Sequence, residues 1–351
     1  MAIRHYIDFD DITAGDWGDL YKLFKDILDH PGDYSGALSG RVLASLFFEP
    51  STRTSFSFQS AMARLGGGVF GFSNPLETSV SKGETFRDTI IIVSGYADAA
   101  VIRHPREGAA LAASLYSSCP VINAGDGGHL HPTQTLADLA TLTWLRGSVD
   151  DLRIGLCGDL KNGRTVHSLL RALCCFSGMR IYLISPRELA VPPYVKEHLQ
   201  GKNMDFVEVS SLEDTIGDLD ALYMTRIQKE RFIDPAQYMR LKGVYTLSPQ
   251  MLGLAKKDMI VMHPLPRVDE ISQEVDADPR AAYFKQAKFG MVIRMALLLR
   301  LVGQGTETPP PKFPQAGPRL CANPNCITAF ESYLPPLERE GQCAFCESAI
   351  L

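Results

Sequence analysis

The segment from residue 42 to residue 65 constrains the fold of this chain more than any other. Residues 42–48 form an apolar stretch typical of a buried strand, and the stretch stops before Pro50. Ser51-Thr52-Arg53-Thr54 follows, and from Thr54 to Leu65 the apolar residues recur with helical spacing. A helix start has unpaired N–H groups and partial positive charge, so with three hydroxyls and an arginine it favours a phosphate. The alternative is a Ser/Thr-capped helix with a surface arginine.

Two series of alternating strands and helices indicate an α/β fold. The prediction is two doubly wound parallel-sheet domains joined by helices, with a small C-terminal zinc-binding unit. The domain boundaries are 1–135, completed by a C-terminal helix at about 280–302, then 136–290, a Pro-rich linker at 303–318 and a tail at 319–351. The predicted strands are 42–48, 69–72, 99–102, 152–159, 180–184, 205–209, 219–224 and 259–263, and the predicted helices are 54–65, 84–95, 135–147, 164–176, 192–200 and 280–302.

The charge pattern excludes several classes of partner. The 351 residues carry a net charge of −5 without a long basic run, which argues against nucleic acid or an acidic membrane surface as the main partner. Apolar stretches fall short of the roughly 20 residues that span a bilayer, and the N-terminus lacks the apolar core of a signal peptide. We therefore expect a soluble, cytoplasmic protein, in which disulfides are rare.

The tail carries a separate signal. Cys321, Cys326, Cys343 and Cys346 have the spacing C-x4-C-x16-C-x2-C, which predicts one structural zinc with four thiolate ligands and no catalytic cofactor. Metal binding would supply the folding free energy that so short a segment lacks. The alternative is four unligated thiols in a disordered tail. The remaining cysteines are expected to be small buried hydrophobes, namely Cys119, Cys157, Cys174 and Cys175.

Seven ordered motifs resemble those of the aspartate and ornithine carbamoyltransferases. They are Ser51-Thr52-Arg53-Thr54, Lys82-Gly83-Glu84-Thr85, Arg103-His104-Pro105, His131-Pro132-Thr133-Gln134, Gly158-Asp159-Leu160 with Gly163-Arg164-Thr165, Thr225-Arg226-Ile227-Gln228 and His263-Pro264-Leu265-Pro266. The resemblance makes residues 1–135 the carbamoyl-phosphate-binding domain and 136–290 the aspartate-binding domain. The tail resembles the zinc domain of the regulatory chain of enterobacterial-type aspartate carbamoyltransferase.

The resemblance also implies roles for individual residues. The carbamoyl-phosphate-binding residues are Ser51, Thr52, Arg53, Thr54, Ser79, Arg103, His131 and Gln134, with the backbone carbonyls of Leu265 and Pro266. The catalytic residues are Arg53, Thr54, Lys82, Arg103 and His131, and the aspartate-binding residues are Lys82, Arg164, Arg226 and Gln228. The resemblance does not fix which hydroxyl of the 78–81 loop binds phosphate, and Ser79 is the predicted one. Arg103 alone could be a surface salt bridge, and the 78–82 loop alone a solvated one.

The charges of the candidate residues indicate which amine accepts the carbamoyl group. Aspartate brings two carboxylates and suits arginine forks, whereas the ornithine enzymes have a cysteine where this chain has Pro264 and lack the Lys82 loop. The resemblance thus implies transfer from carbamoyl phosphate to L-aspartate, an early step of pyrimidine biosynthesis. It also implies a homotrimer with active sites shared between chains. The tail could pack on its own chain, stabilise the trimer or join trimers. A non-catalytic structural homologue is the alternative, and it should have lost one of the motif cations.

Overall fold

A computed structural model describes residues 5–9, 13–228, 232, 234–303, 321–339 and 341–350. Residues 304–318 of the predicted linker lie outside this described set. The chain divides into two compact units, one formed by Met1–Thr133 with Met291–Leu351 and the other by Gln134–Gly290. Within the described ranges, every helix is too short or too polar to cross a membrane.

The first unit is built on a parallel sheet with the strand order β2-β1-β3-β4. Its elements are α1 (Ala14–Asp29), β1 (Val42–Phe47), α2 (Thr52–Arg64), β2 (Gly68–Phe72), α3 (Phe86–Ser94), β3 (Ala99–His104), α4 (Ala109–Ser114) and β4 (Val121–Asp126). β1, β3 and β4 are buried along almost their whole length, as expected of a parallel sheet covered on both faces. Because the strands are parallel, the segments that follow β1, β3 and β4 leave the sheet at one edge.

The second unit holds a parallel sheet with the order β7-β6-β5-β8-β9. Its elements are α5 (Pro132–Arg146), which begins in the first unit, β5 (Arg153–Cys157), α6 (Arg164–Leu173), β6 (Arg180–Ile184), α7 (Pro193–Gly201), β7 (Asp205–Val209), β8 (Ala221–Met224), α8 (Pro235–Leu241), α9 (Pro249–Leu252), β9 (Ile260–Met262) and α10 (Tyr283–Leu298), which ends in the first unit. The reversal of strand order lies between β5 and β8. In open parallel sheets, ligands bind outside the carboxyl ends of the strands at such a switch point.

The described part of the tail packs within the first unit. It contains a short turn of helix at Ile327–Ala329 and a hairpin of β10 (Glu338–Arg339) with β11 (Gln342–Cys343). Its buried apolar side chains belong to the same core cluster as residues of β1, β3 and α4. Of the arrangements left open for the tail, the structure therefore shows packing on its own chain.

Some boundaries and one burial prediction were wrong. The helix predicted from residue 280 begins at Tyr283, and its last turn, Leu299–Gly303, is π-helical. The helix predicted from Thr54 begins two residues earlier, so Thr52 and Arg53 lie in its first turn. Cys175 is exposed and Cys174 only partly buried, because both follow the end of α6 at Leu173. Cys119 and Cys157 are buried as expected.

Candidate functional site

The first group of candidate residues lies where β1 passes into α2. Ser51 is the N-cap residue of α2 in extended conformation, and within the described chain its side chain makes no capping hydrogen bond to this helix. Thr52 and Arg53 are exposed in the first turn, whereas Thr54 is buried. A simple Ser-capped helix would satisfy its own first-turn N–H groups through Ser51. The absence of this Ser51 cap from the described helix is consistent with a helix start that binds an external acceptor such as a phosphate oxygen.

Arg103 leaves the same edge of the sheet, near the end of β3. Its guanidinium donates to the carbonyl oxygen of Ala124 in β4 at 3.3 Å, and it forms an ion pair with Glu49, just beyond β1, at 3.2 Å. Arg103 as a residue is 7 % exposed, so the interpretation as a surface salt bridge is wrong. The neighbours on both sides fix the direction of the guanidinium, and Glu49 is a positioning residue that the sequence motifs did not reveal.

His104 follows Arg103 and has a mainly aromatic environment. Its ring lies 4.9 Å from that of Phe48 and 5.1 Å from that of Phe86, measured between centroids, and its Nδ1 accepts a hydrogen bond from the Arg106 amide. Burial, together with the nearby Arg106 charge, lowers the pKa of His104 from 6.5 to about 4. The imidazole is therefore neutral at physiological pH.

His131 is buried immediately before the first residue of α5. The segment that leads to it is held by Asp126, whose Oδ1 accepts from the Leu130 amide at 3.1 Å. Beyond His131, the Pro132 carbonyl accepts a hydrogen bond from the Tyr6 hydroxyl at 3.1 Å. These contacts fix the backbone on both sides of the imidazole.

The loop that carries Ser79 and Lys82 is mostly exposed, unlike the buried Arg103 and His131. It consists of two 3-10 turns, Pro75–Glu77 and Ser79–Lys82, in which both Ser79 and Lys82 are exposed. Gly83 ends the second turn with φ 92°, a conformation that favours glycine. The Glu84 carboxylate accepts from the Thr89 hydroxyl at 2.6 Å, which ties the end of the loop to α3.

In the second unit, a turn after β5 is tied to the segment after β8. Asp159 is fully buried, and its carboxylate accepts from the Asn162 amide at 3.0 Å and from the Gln228 amide at 3.4 Å. The Gln228 side chain donates to the Asn162 carbonyl at 3.0 Å, two residues before α6 begins at Arg164. A Cβ on Gly158 would lie 2.2 Å from the Thr225 carbonyl oxygen, so only glycine permits this approach. The two cationic motifs, around Arg164 and Arg226, are thereby linked.

The loop after β9 is held by a buried pair. His263 Nε2 lies 2.6 Å from a Glu270 oxygen, and the other Glu270 oxygen accepts from the amides of Val268 and Asp269, each at 3.1 Å. His263 Nδ1 accepts from the Leu265 amide at 2.7 Å. Leu265 has φ 54°, which is unfavourable for a residue with a side chain, and these bonds hold it there. Burial opposes ionisation of Glu270, but His263 and the amides of Glu270 and Val268 lower its pKa overall.

A buried hydrogen-bond network also holds the start of the loop after β9. The fully buried Asp138 accepts from Gln134 at 2.8 Å, from the Tyr223 hydroxyl at 3.0 Å and from Gln286 at 2.6 Å. The Gln286 side-chain oxygen in turn accepts from the His263 amide at 2.9 Å. Gln134 is therefore a structural partner of Asp138. The sequence motifs ended at Gln134 and Pro266 and so missed Asp138, Glu270 and Gln286, whose roles depend on contacts across the fold.

The four tail cysteines form a compact cluster. Their Sγ atoms lie within 4.8 Å of one another, with Cys321–Cys346 at 3.4 Å and Cys326–Cys343 at 3.9 Å. A tetrahedral zinc with bonds of about 2.3 Å needs sulfur–sulfur distances of about 3.8 Å, so the cluster fits this ion. The Asn323 amide and the Thr328 hydroxyl donate to the sulfurs of Cys321 and Cys326, a pattern that suits thiolate ligands.

The chain has two parallel α/β units, and each carries cations and hydrogen-bond donors at the carboxyl ends of its strands. This arrangement is typical of enzymes that bind anionic substrates. Residues 4–143 match the model of the aspartate/ornithine carbamoyltransferase carbamoyl-phosphate-binding domain, and residues 150–301 match the aspartate/ornithine-binding domain of the same enzymes. The chain belongs to the aspartate/ornithine carbamoyltransferase family and is a carbamoyl-transferring enzyme. The tail begins after the second match ends.

Similar proteins and similar solved structures agree with this family assignment. The chain is 55% identical over 300 residues to the aspartate carbamoyltransferase catalytic subunit of Clostridium novyi, covering 86% of this chain and 98% of that protein. It is 56% identical over 301 residues to that of Clostridium acetobutylicum, with the same coverage. The M. jannaschii aspartate transcarbamoylase catalytic subunit superposes with a TM-score of 0.80 at 47% identity, covering 86% and 99% of the chains. The Trypanosoma cruzi enzyme in complex with carbamoyl phosphate gives 0.81 at 41% identity, covering 86% and 96%.

Proposed function

We propose that this protein is an aspartate carbamoyltransferase that converts carbamoyl phosphate and L-aspartate to N-carbamoyl-L-aspartate and phosphate. The observation that carries the proposal is the edge of the first sheet, where the helix start at Ser51–Thr54 accompanies the buried, oriented Arg103. Both offer donors to a phosphate dianion. Solved Trypanosoma cruzi relatives hold carbamoyl phosphate, and carbamoyl phosphate with aspartate, which supports the substrates.

The reaction assigns a task to each group. Ser51, Thr52, Arg53, Thr54 and Ser79 hold the phosphate, and Arg103 also polarises the carbamoyl carbonyl. The aspartate amine attacks the carbonyl carbon, and His131 donates a hydrogen bond to the oxyanion, which is worth about 3 kcal/mol for such donors. The bond from carbon to the bridging oxygen breaks, and the departing phosphate takes the amine proton. The carbonyls of Leu265 and Pro266 accept from the carbamoyl NH2 and the amine. Gln134, whose side-chain NH2 is oriented by its hydrogen bond to Asp138, completes the carbamoyl-phosphate residues.

Specificity for aspartate rests on cations. Arg164 begins α6, Arg226 follows β8, and Gln228 is fixed between them by its hydrogen bonds to Asn162 and Asp159. Guanidinium groups bind carboxylates bidentately, whereas ornithine would present its own cation to them. Lys82 is the third cation of the proposed acceptor site. His263 is followed by Pro264, where the ornithine enzymes carry a cysteine.

The remaining assignments follow from the same family. We assign zinc to the four-cysteine cluster, one ion per chain with a structural role, because the sulfur spacing suits a closed tetrahedral site. Reduced cysteines suit a cytoplasmic location. The assembly is a homotrimer with active sites shared between chains, acting in pyrimidine biosynthesis.

The test is a transfer assay with carbamoyl phosphate and either L-aspartate or L-ornithine. We expect carbamoyl-aspartate and no citrulline. Arg226→Gln, which keeps hydrogen-bond donors and removes the charge, should raise the aspartate KM, and Arg187→Gln in the turn after β6 is the matched control. Citrulline formation would overturn the acceptor assignment, and the absence of both products would overturn carbamoyl transfer.

A further inference from the structure

The tail docks at a backbone groove after β3. The Glu107 amide donates to the Asn325 carbonyl at 3.0 Å, and the Glu107 carbonyl accepts from the Ile327 amide at 2.9 Å, on either side of Cys326. The neighbouring Gly108 has φ 81°, and a Cβ there would lie 2.4 Å from Phe345. Cys326, one of the four proposed metal ligands, is thus held by hydrogen bonds on both sides. The close approach of Phe345 to residue 108 requires glycine there.

The tail also completes the start of α3. The first two amides of this helix, of Phe86 and Arg87, donate to the Glu331 carboxylate at 3.4 Å and to the Tyr333 hydroxyl at 2.8 Å. A helix start leaves such amides unpaired unless side chains cap them. The Arg87 guanidinium also lies 4.8 Å from the centre of the Tyr333 ring. The loop that carries Lys82 leads directly into α3. The tail therefore caps the helix that anchors the end of this loop.

A third contact reaches the segment before His131. His129, with 12 % of its side chain exposed, lies between two carboxylates, with Nδ1 3.3 Å from Asp126 and Nε2 3.2 Å from Glu347 of the tail. Burial disfavours its charged form, but the Asp126 charge and the hydrogen bonds to both carboxylates hold the pKa of His129 well above its ordinary value. The same Asp126 accepts from the amides of Gly108 and Leu130.

From these contacts we infer that the four-cysteine tail positions two active-site segments of its own chain, the loop that carries Lys82 and the segment that ends at His131. Glu331, Tyr333 and Glu347 are its positioning residues, and none of them is a catalytic residue. The metal acts by holding the tail in the shape that presents these groups. The inference rests on the proposed function for the roles of Lys82 and His131.

The test compares hydrogen exchange and kinetics in the metal-loaded, full-length protein. Tyr333→Phe removes one hydroxyl acceptor, and we expect exchange of the Arg87 amide to accelerate roughly tenfold. Tyr96→Phe is the matched control, since Tyr96 is exposed just beyond the other end of α3. Gly108→Ala should accelerate exchange in both segments, 79–90 and 126–131, without changing the metal content. Gly40→Ala is its control, because Gly40 has φ 79° with open space around it.

The kinetic arm measures the KM for carbamoyl phosphate and kcat. We expect Tyr333→Phe and Gly108→Ala to raise KM about threefold to tenfold, in the range of one lost hydrogen bond, with a smaller effect on kcat. Unchanged exchange in both segments would overturn the inference. If Gly108→Ala fails to fold, unchanged exchange of the Arg87 amide in Tyr333→Phe still overturns it for the loop that carries Lys82. Accelerated exchange with unchanged kinetics would overturn the link to the active site. A wild type without transfer activity would refute the proposed function alone, since exchange still reports on the tail.

Discussion

Lowering the pH should destabilise the first unit through His104, which follows the candidate catalytic Arg103. The folded pKa of this imidazole is about 4, against 6.5 when it is unburied. As the pH falls below 6.5, the unfolded state binds a proton that the folded state cannot yet accept, so stability is lost between pH 6.5 and pH 4. The two values give a loss of about 2 kcal/mol between pH 7 and pH 5, approaching about 3 kcal/mol at pH 4.

The assay compares wild type with His104→Asn, whose amide oxygen can replace Nδ1 as acceptor for the Arg106 amide. Urea unfolding is followed by the fluorescence of Trp17, buried in the first unit, in a Trp144→Phe background, because the chain has two tryptophans. The variant loses packing against Phe48 and Phe86 at every pH, so the informative quantity is the change in the stability difference with pH.

We expect the stability difference between the two proteins to shrink by about 2 kcal/mol from pH 7 to pH 5, since only the wild type pays the protonation cost. Other titrating groups and metal release affect both proteins and cancel. His30→Asn at the end of α1 makes the same chemical change at an exposed position and controls for loss of an imidazole. Parallel stability curves for wild type and His104→Asn would refute the reasoning.

Three further predictions follow from the site. Arg53→Ala should lower kcat/KM at least about a hundredfold by removing a phosphate donor, without changing the assembly state measured by sedimentation, and near-normal turnover would contradict the phosphate assignment. Glu270→Gln should lower kcat about tenfold, because a single amide oxygen cannot serve both His263 and the two loop amides; Asp269→Asn is the control, and equal kinetics would show that the loop holds without this carboxylate. Cys343→Ser should abolish stoichiometric metal and lower the melting temperature, both measured on freshly purified protein, whereas full metal content would show that Cys343 is not a ligand.

Local sequence determined the elements and the chemistry. β6 and β7 have the predicted bounds. A short apolar stretch that ends at turn residues carries its own signal for a strand, so its bounds can be predicted from local sequence. The motif after β1 predicted a helix start suited to an anion, and the cysteine spacing predicted a cluster that the structure brings together. Helix α4 was missed, since its small alanines show no amphipathic period and its start at Gly108 depends on the tail.

Tertiary structure decided which groups hold the site in place. Glu270 supports Leu265 through His263, and Asp138 accepts a hydrogen bond from Gln286, which lies 148 positions further along the chain. Hydrogen bonds of this kind depend on direction and distance after folding, and their sequence separation leaves no periodic signal. The sequence alone left the tail free to act within its chain or between chains. The structure shows the tail packed on its own chain, because the tail is too small to form its own core and buries its apolar side chains against β1, β3 and α4.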